Sequence, residues 1–338
     1  KHGNTMIRKT ILLLCFAAVS CALNLTACNT TSQSDMISKA EREAARRAEI
    51  LRQQEMQKSV WDSRLASENR FKMDIEPTEA EKKIASKHAR SVVNHLTQNQ
   101  FFIHYLLTRL EENNMPVELA AVPLVESGLN PQVGSNGGAH GPWQYKRATG
   151  RSVGLETTRG FDEIYDFVES TDASVRYLQK LYRDLGNWEL VVAAYNQGEY
   201  GVKRAVNAAI ARGVKDISPA TVKISAGARK YLQRFRAYAD ILKNPQNYNV
   251  KLPEVQNRPA FRKVEIAGRI NSMKKAAELS GADLSTLKIL NNGYRSDHLS
   301  TAEKHGLYVP VEHASRLEHV LQTYGNNVAE NETESKAD

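Results

Sequence analysis

Cysteine is missing from the chain after residue 28: Cys15, Cys21 and Cys28 are the only three among 338 residues. A domain built from the remainder holds no internal disulfide, even in an oxidising compartment. Also missing are an HExxH pair, a CxxC pair and a glycine-rich phosphate loop, so no metal and no cofactor is expected and the chemistry must come from ordinary side chains. His88, His95 and His104 are scattered along helical stretches without a ligand partner and suit core or surface roles. The longest apolar run, Ile11 to Leu23, falls short of the roughly 20 residues a membrane span needs. No basic stripe with interleaved aromatics occurs, so the net charge of +8 and the pI of about 9.2 do not point to nucleic acid.

With 41% hydrophobic residues the chain can build a real core, and its length suits one sizeable domain plus something smaller. After Lys1–Thr5, which are set aside, Arg8 and Lys9 precede the short apolar run as in a secretory leader. Leu25-Thr26-Ala27-Cys28 resembles a bacterial lipobox. It implies lipidation at Cys28 and attachment to a membrane, and Asn29 favours the outer one; an ordinary signal peptide with an incidental cysteine is the alternative. The leader contains no acids, so losing Lys1, Arg8 and Lys9 leaves a milder positive excess, suited to an anionic wall polymer or lipid surface. Thr30–Asp35 has the polarity of a flexible tether, and Lys39–Lys58 that of a solvated helix with Glu43 and Arg47 four apart.

Beyond Trp61 nearly every periodic stretch is helical. Pro77-Thr78-Glu79 is a start signal, Glu79–Gln98 and Phe101–Glu112 each carry an apolar stripe, and Asn113-Asn114 follows. Ser170 or Thr171 is the expected cap of a helix ending at Gly186, Asn187 opens the next, and Ser225–Leu242 is one more amphipathic helix.

The informative stretch is Met115–Gly150. Pro116 suits a first helical turn, and Val117 to Val125 is apolar on nearly all sides, as in a buried helix stopped by Gly128, Asn130 and Pro131. This places Glu126 at the mouth of a buried element, where desolvation raises a carboxyl pKa toward the range of a general acid. A plain helix end facing water is the competing reading.

Glu126-Ser127, Asn130-Pro131, Ser135, Gly141-Pro142-Trp143-Gln144 and Ala194-Tyr195-Asn196 with Gly198 resemble, in order and spacing, the three signature blocks of the lytic transglycosylase domain. The flanks Val60–Leu65, Met115–Ala120 and Ala148–Gly150 resemble its membrane-bound D-type branch. The resemblance implies a mostly α protein with a lysozyme-like (goose-type/lytic transglycosylase) helical catalytic domain. It implies peptidoglycan glycan strands as partner, and one glutamate, Glu126, acting first as acid and then as base to give 1,6-anhydro products. Ser135 and Gln144 would hold the sugar; Tyr195 and Asn196 would position Glu126 and the sugar; Ser127 would be a local cap. Trp143 would stack on a sugar or fill the core. Asp162, Glu163, Asp166, Glu169 and Asp172 are candidates for a second carboxylate by type only, and capping or surface roles also explain them.

Pro142, Lys146 and Arg147 depart from the usual second block. The two cations would alter substrate placement or grip peptide-stem carboxylates. A catalytically idle, lipid-anchored wall-binding protein and a hydrolytic goose-type lysozyme remain as alternatives. After a linker-like Pro253–Pro259, the order strand (Arg262–Ala267), helix (Met273–Ser280), helix (Leu284–Leu290), strand (Leu307–Val309) resembles a βααβ LysM module. Its entry is degenerate, Ala267-Gly268-Arg269-Ile270, so packing competes with glycan binding. The expected division is leader 1–27, tether and solvated helix 28–59, catalytic domain 60–250, linker 251–259, LysM-like module 260–320 and disordered tail 321–338.

Overall fold

A computed structural model describes residues 30–64, 70–266, 269–299 and 305–334. The leader and Cys28 lie outside the described residues. The chain divides into two units, one up to Glu55 and one from Met56 onward. The described part of the first belongs to α1 (Thr30–Gln57), whose last two residues fall in the second. Helix therefore replaces the expected tether at Thr30–Asp35, because no Gly or Pro interrupts residues 30–57 and Ala, Glu, Arg and Gln all favour helix. Its residues 39–54 are exposed.

The second unit is mostly helical. α2 (Val60–Arg64) is followed by α3 (Glu79–Gln98), which begins where the sequence predicts. Thr78 and Glu81 form a reciprocal capping box there, satisfying two end groups that would otherwise lack partners. Ala85, Ala89, Val92 and Leu96 turn one stripe inward. A 3₁₀ turn at Gln100–Phe102 leads into α4 (Ile103–Glu112).

The apolar run after Met115 is not one helix. Val117–Ala120 is a 3₁₀ turn and α5 begins afresh at Ala121–Ser127. Pro123 has no N–H to give to Leu119, so an unbroken α-helix would lack that bond; in the first turn of α5 the loss costs nothing. Glu118 is buried in the 3₁₀ turn, where it accepts the amides of Lys72 and Met73.

A hairpin follows, β1 (Ala139–His140) antiparallel to β2 (Tyr145–Lys146), leading into α6 (Arg147–Ser152). α7 spans Phe167–Leu185 and is capped by Asp166, which accepts from Glu169 N, rather than by Ser170 or Thr171. Both expected caps are buried within the helix: Ser170 donates to the Asp166 carbonyl, and Thr171 accepts from Trp143. α8 (Trp188–Gln197) is capped by Asn187 as expected, α9 (Glu199–Ala211) is an addition to the sequence reading, and α10 (Ala226–Lys243) is capped by Ser225. α10 is the hub of the unit. It buries Tyr231, Leu232, Phe235, Tyr238 and Leu242 and packs against α3, α5 and α8.

The segment after α10 is pinned rather than free. Trp61 Nε1 donates to the Pro253 carbonyl at 2.6 Å, Val60 N to Val255 O at 2.7 Å and Asn257 N to Lys58 O at 2.9 Å. β3 (Phe261–Val264), α11 (Met273–Ser280), α12 (Leu284–Leu290) and β4 (Leu307–Pro310) reproduce the expected βααβ order, with Phe261 opposite Pro310 and Val264 opposite Leu307. α13 (Val311–Glu334) differs from the expected disordered tail: Ala314, Leu317 and Leu321 bury one helical stripe, and the backbone stays helical beyond them.

This module shares its packing with the larger domain. Phe261 and Leu290 sit in the main core, whereas Phe161, from the loop before α7, sits in the module's core. Phe161 stacks on His305 and meets Tyr294 edge-on. A Cβ at Gly293 would lie 2.5 Å from the Phe161 ring.

Candidate active site

Glu126 lies in the last turn of α5, one residue before its end at Ser127, and Gly128, at φ 69°, closes the helix in the left-handed conformation. That termination leaves the carboxylate on a cleft of about 830 Å³. Burial pushes Glu126 up to about 7, against the opposing effects of a hydrogen bond from Tyr231 and the charge of Arg234. Tyr231 Oη donates to Glu126 Oε1 at 2.6 Å. The carboxyl therefore keeps its proton to near neutral pH, as a general acid must.

The hairpin places the second block. Its turn is Gly141-Pro142-Trp143-Gln144, and Gly141 adopts φ 75° with its Cα so close to the Ile164 carbonyl that a Cβ would lie 1.9 Å from that oxygen. Gln144 is left-handed at φ 51°, a conformation costing about 1 kcal/mol for a residue with a side chain. It is held by its own Nε2, which donates to Gly141 O at 2.9 Å and Val133 O at 3.1 Å. Trp143 is fully buried and donates to Thr171 Oγ1 at 2.9 Å, so it fills the core and does not face a sugar.

Two hydroxyls clamp this turn. Ser127 Oγ donates to Pro142 O at 2.7 Å, which makes it a tie between α5 and the hairpin as well as a local bond to Pro123 O. Tyr195 Oη donates to Trp143 O at 2.5 Å. Thus Tyr195 holds the second block, while the direct partner of Glu126 is Tyr231.

Glu126, Gln144, Tyr195 and Asn196 all line the cleft. Ser135 is not among the lining residues; it is exposed in a turn, its Oγ accepting Ala139 N at 3.1 Å and its carbonyl accepting Gly138 N at 3.0 Å. Tyr231 had no motif of its own in the sequence, only a place in the apolar stripe of α10.

None of the five candidate second carboxylates lines the cleft. Asp162 is fully buried and paired with Arg147 and Arg295. Glu163 accepts Glu156 N, Asp166 caps α7, and Asp172 accepts from Tyr105 and Arg109. Glu169 is drawn up by burial beside Glu163 and Asp172. The carboxylate that does share the cleft is Glu199, at the start of α9, and both its oxygens meet Lys180 Nζ at 3.0 Å.

The two unusual cations part company. Lys146 is exposed on the cleft, while Arg147 turns away to Asp162 and lies over the Tyr165 ring with Arg295. Among the described residues no cluster of His, Cys, Asp and Glu could hold a metal ion, and no helix is long and apolar enough to cross a membrane.

Residues 108–217 match the family model described as the transglycosylase SLT domain, and residues 260–325 the model described as the lytic transglycosylase MltD, LysM-like domain. The chain is 34% identical over 221 residues to membrane-bound lytic murein transglycosylase D of Escherichia coli strain K12, and equally to that of strain O6:H1; the match covers 65% of this chain and 48% of each relative. It is 33% identical over 107 residues to a putative tributyltin chloride resistance protein of Alteromonas sp. strain M-1, covering 31% of this chain and 52% of that one. The chain thus spans about half the length of the curated relatives it matches. All five expected catalytic-domain site residues fall within the first matched span, and Tyr231 lies beyond it.

Proposed function

From a chain that carries a transglycosylase SLT domain beside a LysM-like module of the lytic transglycosylase MltD type, we propose a peptidoglycan lytic transglycosylase. It cleaves the β-1,4 bond between N-acetylmuramic acid and N-acetylglucosamine without water. The observation that carries this reading is the cleft-lining Glu126 carboxyl, held protonated to about pH 7 by burial.

Glu126 gives its proton to the glycosidic oxygen as the bond to the muramyl C1 breaks. The substrate's own acetamido oxygen then closes on C1, as in substrate-assisted glycosidases. Glu126, now a carboxylate, takes the proton of the muramyl C6 hydroxyl while O6 attacks C1 and releases the acetamido oxygen. The product is a 1,6-anhydro sugar, and the enzyme ends with its proton restored. Tyr231 stabilises the carboxylate between the two steps by a charge-assisted bond. Gln144 and Asn196 bind the sugar, and Tyr195 positions it by fixing the hairpin turn; Ser135, outside the cleft lining, contacts only strands that extend past it.

A hydrolytic lysozyme ordinarily uses a second, free carboxylate, as the base that activates water or as the nucleophile. The one available in the cleft, Glu199, is engaged by Lys180 and Lys203, which favours the single-carboxylate route. Cys28 anchors the enzyme by lipid to the periplasmic face of the outer membrane, its wall substrate lying alongside.

Mass spectrometry of material released from purified sacculi tests the reading. Products ending in 1,6-anhydro-muramyl residues are expected from the wild type and not from Glu126→Gln. Reducing ends would establish hydrolysis instead, and no release by folded wild type that still pellets with sacculi would establish an idle wall binder.

A further inference from the structure

One wall of the cleft is built from cations. Arg176, Lys180 and Arg183 lie on α7 at intervals of four and three residues, which sets them on one helix face, and Lys146 enters from β2; all four line the cleft. Lys180 is already neutralised, because it shares the Glu199 carboxylate with Lys203 and lies 3.8 Å from Asp184. Lys146, Arg176 and Arg183 make no ion pair among the described residues, and each is exposed. Arg176 and Arg183 act on Glu169 and Asp184 only as charges at longer range. Against these three free cations the cleft offers two carboxylates, Glu199, which is paired, and Glu126, which holds its proton. The cleft is therefore locally positive.

A neutral polysaccharide offers such a wall hydrogen-bond acceptors but no opposing charge. The hydroxyls and acetamido groups of a glycan carry no charge, so the electrostatic complement of the wall is an anionic substituent. We infer that Lys146, Arg176 and Arg183 form a carboxylate-reading wall, which grips the peptide stems of the strand in the cleft and selects stem-bearing over bare glycan. This rests on the transglycosylase reading above and assigns that site its substrate class. Of the two adjacent cations in the second block, only Lys146 takes part; Arg147 is committed to Asp162.

Carboxylates could reach the wall from the stems or from the lactyl ethers left when stems are removed, so the glycans tested must separate the two. Binding would be titrated in the Glu126→Gln background, with and without Lys146→Gln, Arg176→Gln and Arg183→Gln combined. The ligands would be solubilised stem-bearing strands, the same strands stripped of peptide by an amidase, and chitooligosaccharides. All three substituted side chains are exposed, and thermal melting would verify the fold. Because exposed ion pairs are each weak and three act together, stem-bearing strands should bind roughly 10-fold tighter than stripped ones, and the triple variant should erase most of that preference. Added salt should do the same. Equal binding of stem-bearing strands by the triple variant would overturn the wall. Equal binding of stripped and stem-bearing strands, both lost in the variant, would overturn the stems as its target in favour of lactyl carboxylates. Cleavage of sacculi by the wild type, measured alongside, separates failure of the wall from failure of the transglycosylase reading.

Discussion

Tyr231 Oη donates to Glu126 Oε1 at 2.6 Å, joining α10 to the end of α5 across 105 residues of sequence. A donor to a carboxylate stabilises its charged form, so this bond lowers a pKa that burial raises. The two effects set the pH at which the acid loses its proton.

Tyr231→Phe should therefore move that pH upward. In the wild type, anhydro-product formation is expected to fall as pH rises through about 7, as Glu126 deprotonates. Without the phenol the carboxyl holds its proton longer, so the alkaline limb of kcat/KM should shift to higher pH. The maximal rate should drop roughly 10- to 100-fold, because the carboxylate formed after proton transfer loses a charge-assisted bond. A lower rate with an unmoved limb would assign Tyr231 to packing alone.

The module's attachment can be tested at Asp162. This fully buried carboxylate accepts from Arg147, Arg295, Thr157 Oγ1 and Ile164 N. Asp162→Ala removes the acceptor of all four and should cost about 2–4 kcal/mol in urea unfolding. Arg295→Ala, at a side chain 47% exposed, leaves Arg147 in place and should cost about 1 kcal/mol or less. Equally small losses would mean that Asp162 does not join loop and module energetically.

Gly141 and Gly138 separate space from conformation. Both have positive φ, 75° and 73°, but a Cβ at Gly141 meets the Ile164 carbonyl at 1.9 Å while Gly138 has nothing within 4 Å. Gly138→Ala should cost about 1 kcal/mol, the left-handed penalty alone. Gly141→Ala should cost about 3 kcal/mol or more, since backbone must also shift, and should impair cleavage by displacing Gln144. Comparable melting temperatures for the two variants would contradict the close approach.

What the sequence determined is whatever depends on near neighbours. Thr78 and Glu81 announce α3 because a capping box is a four-residue device, and Gly186 ends α7 because only a short-range backbone preference is involved. The stripe of α10, the βααβ order and the placing of Glu126 at the end of an apolar element follow from the same local logic. Local logic misplaced the cap of α7 because Asp166, Ser170 and Thr171 are all competent, and the choice fell to Trp143, whose indole needs Thr171 inside the fold. It missed the break before α5 because apolar periodicity is silent about a missing N–H at Pro123.

Only the tertiary structure decided which side chains meet. Tyr231 becomes the partner of Glu126, Tyr195 is drawn to the Trp143 carbonyl, and Lys146 and Arg147 face opposite ways because one lies in β2 on the cleft and the other opens α6 beside Asp162. The Phe161 ring in the module's core likewise has no local signature. Burial and charge at a site are sums over everything folded around it, so residues far apart in the chain set the proton affinity of Glu126 and the charge of its cleft.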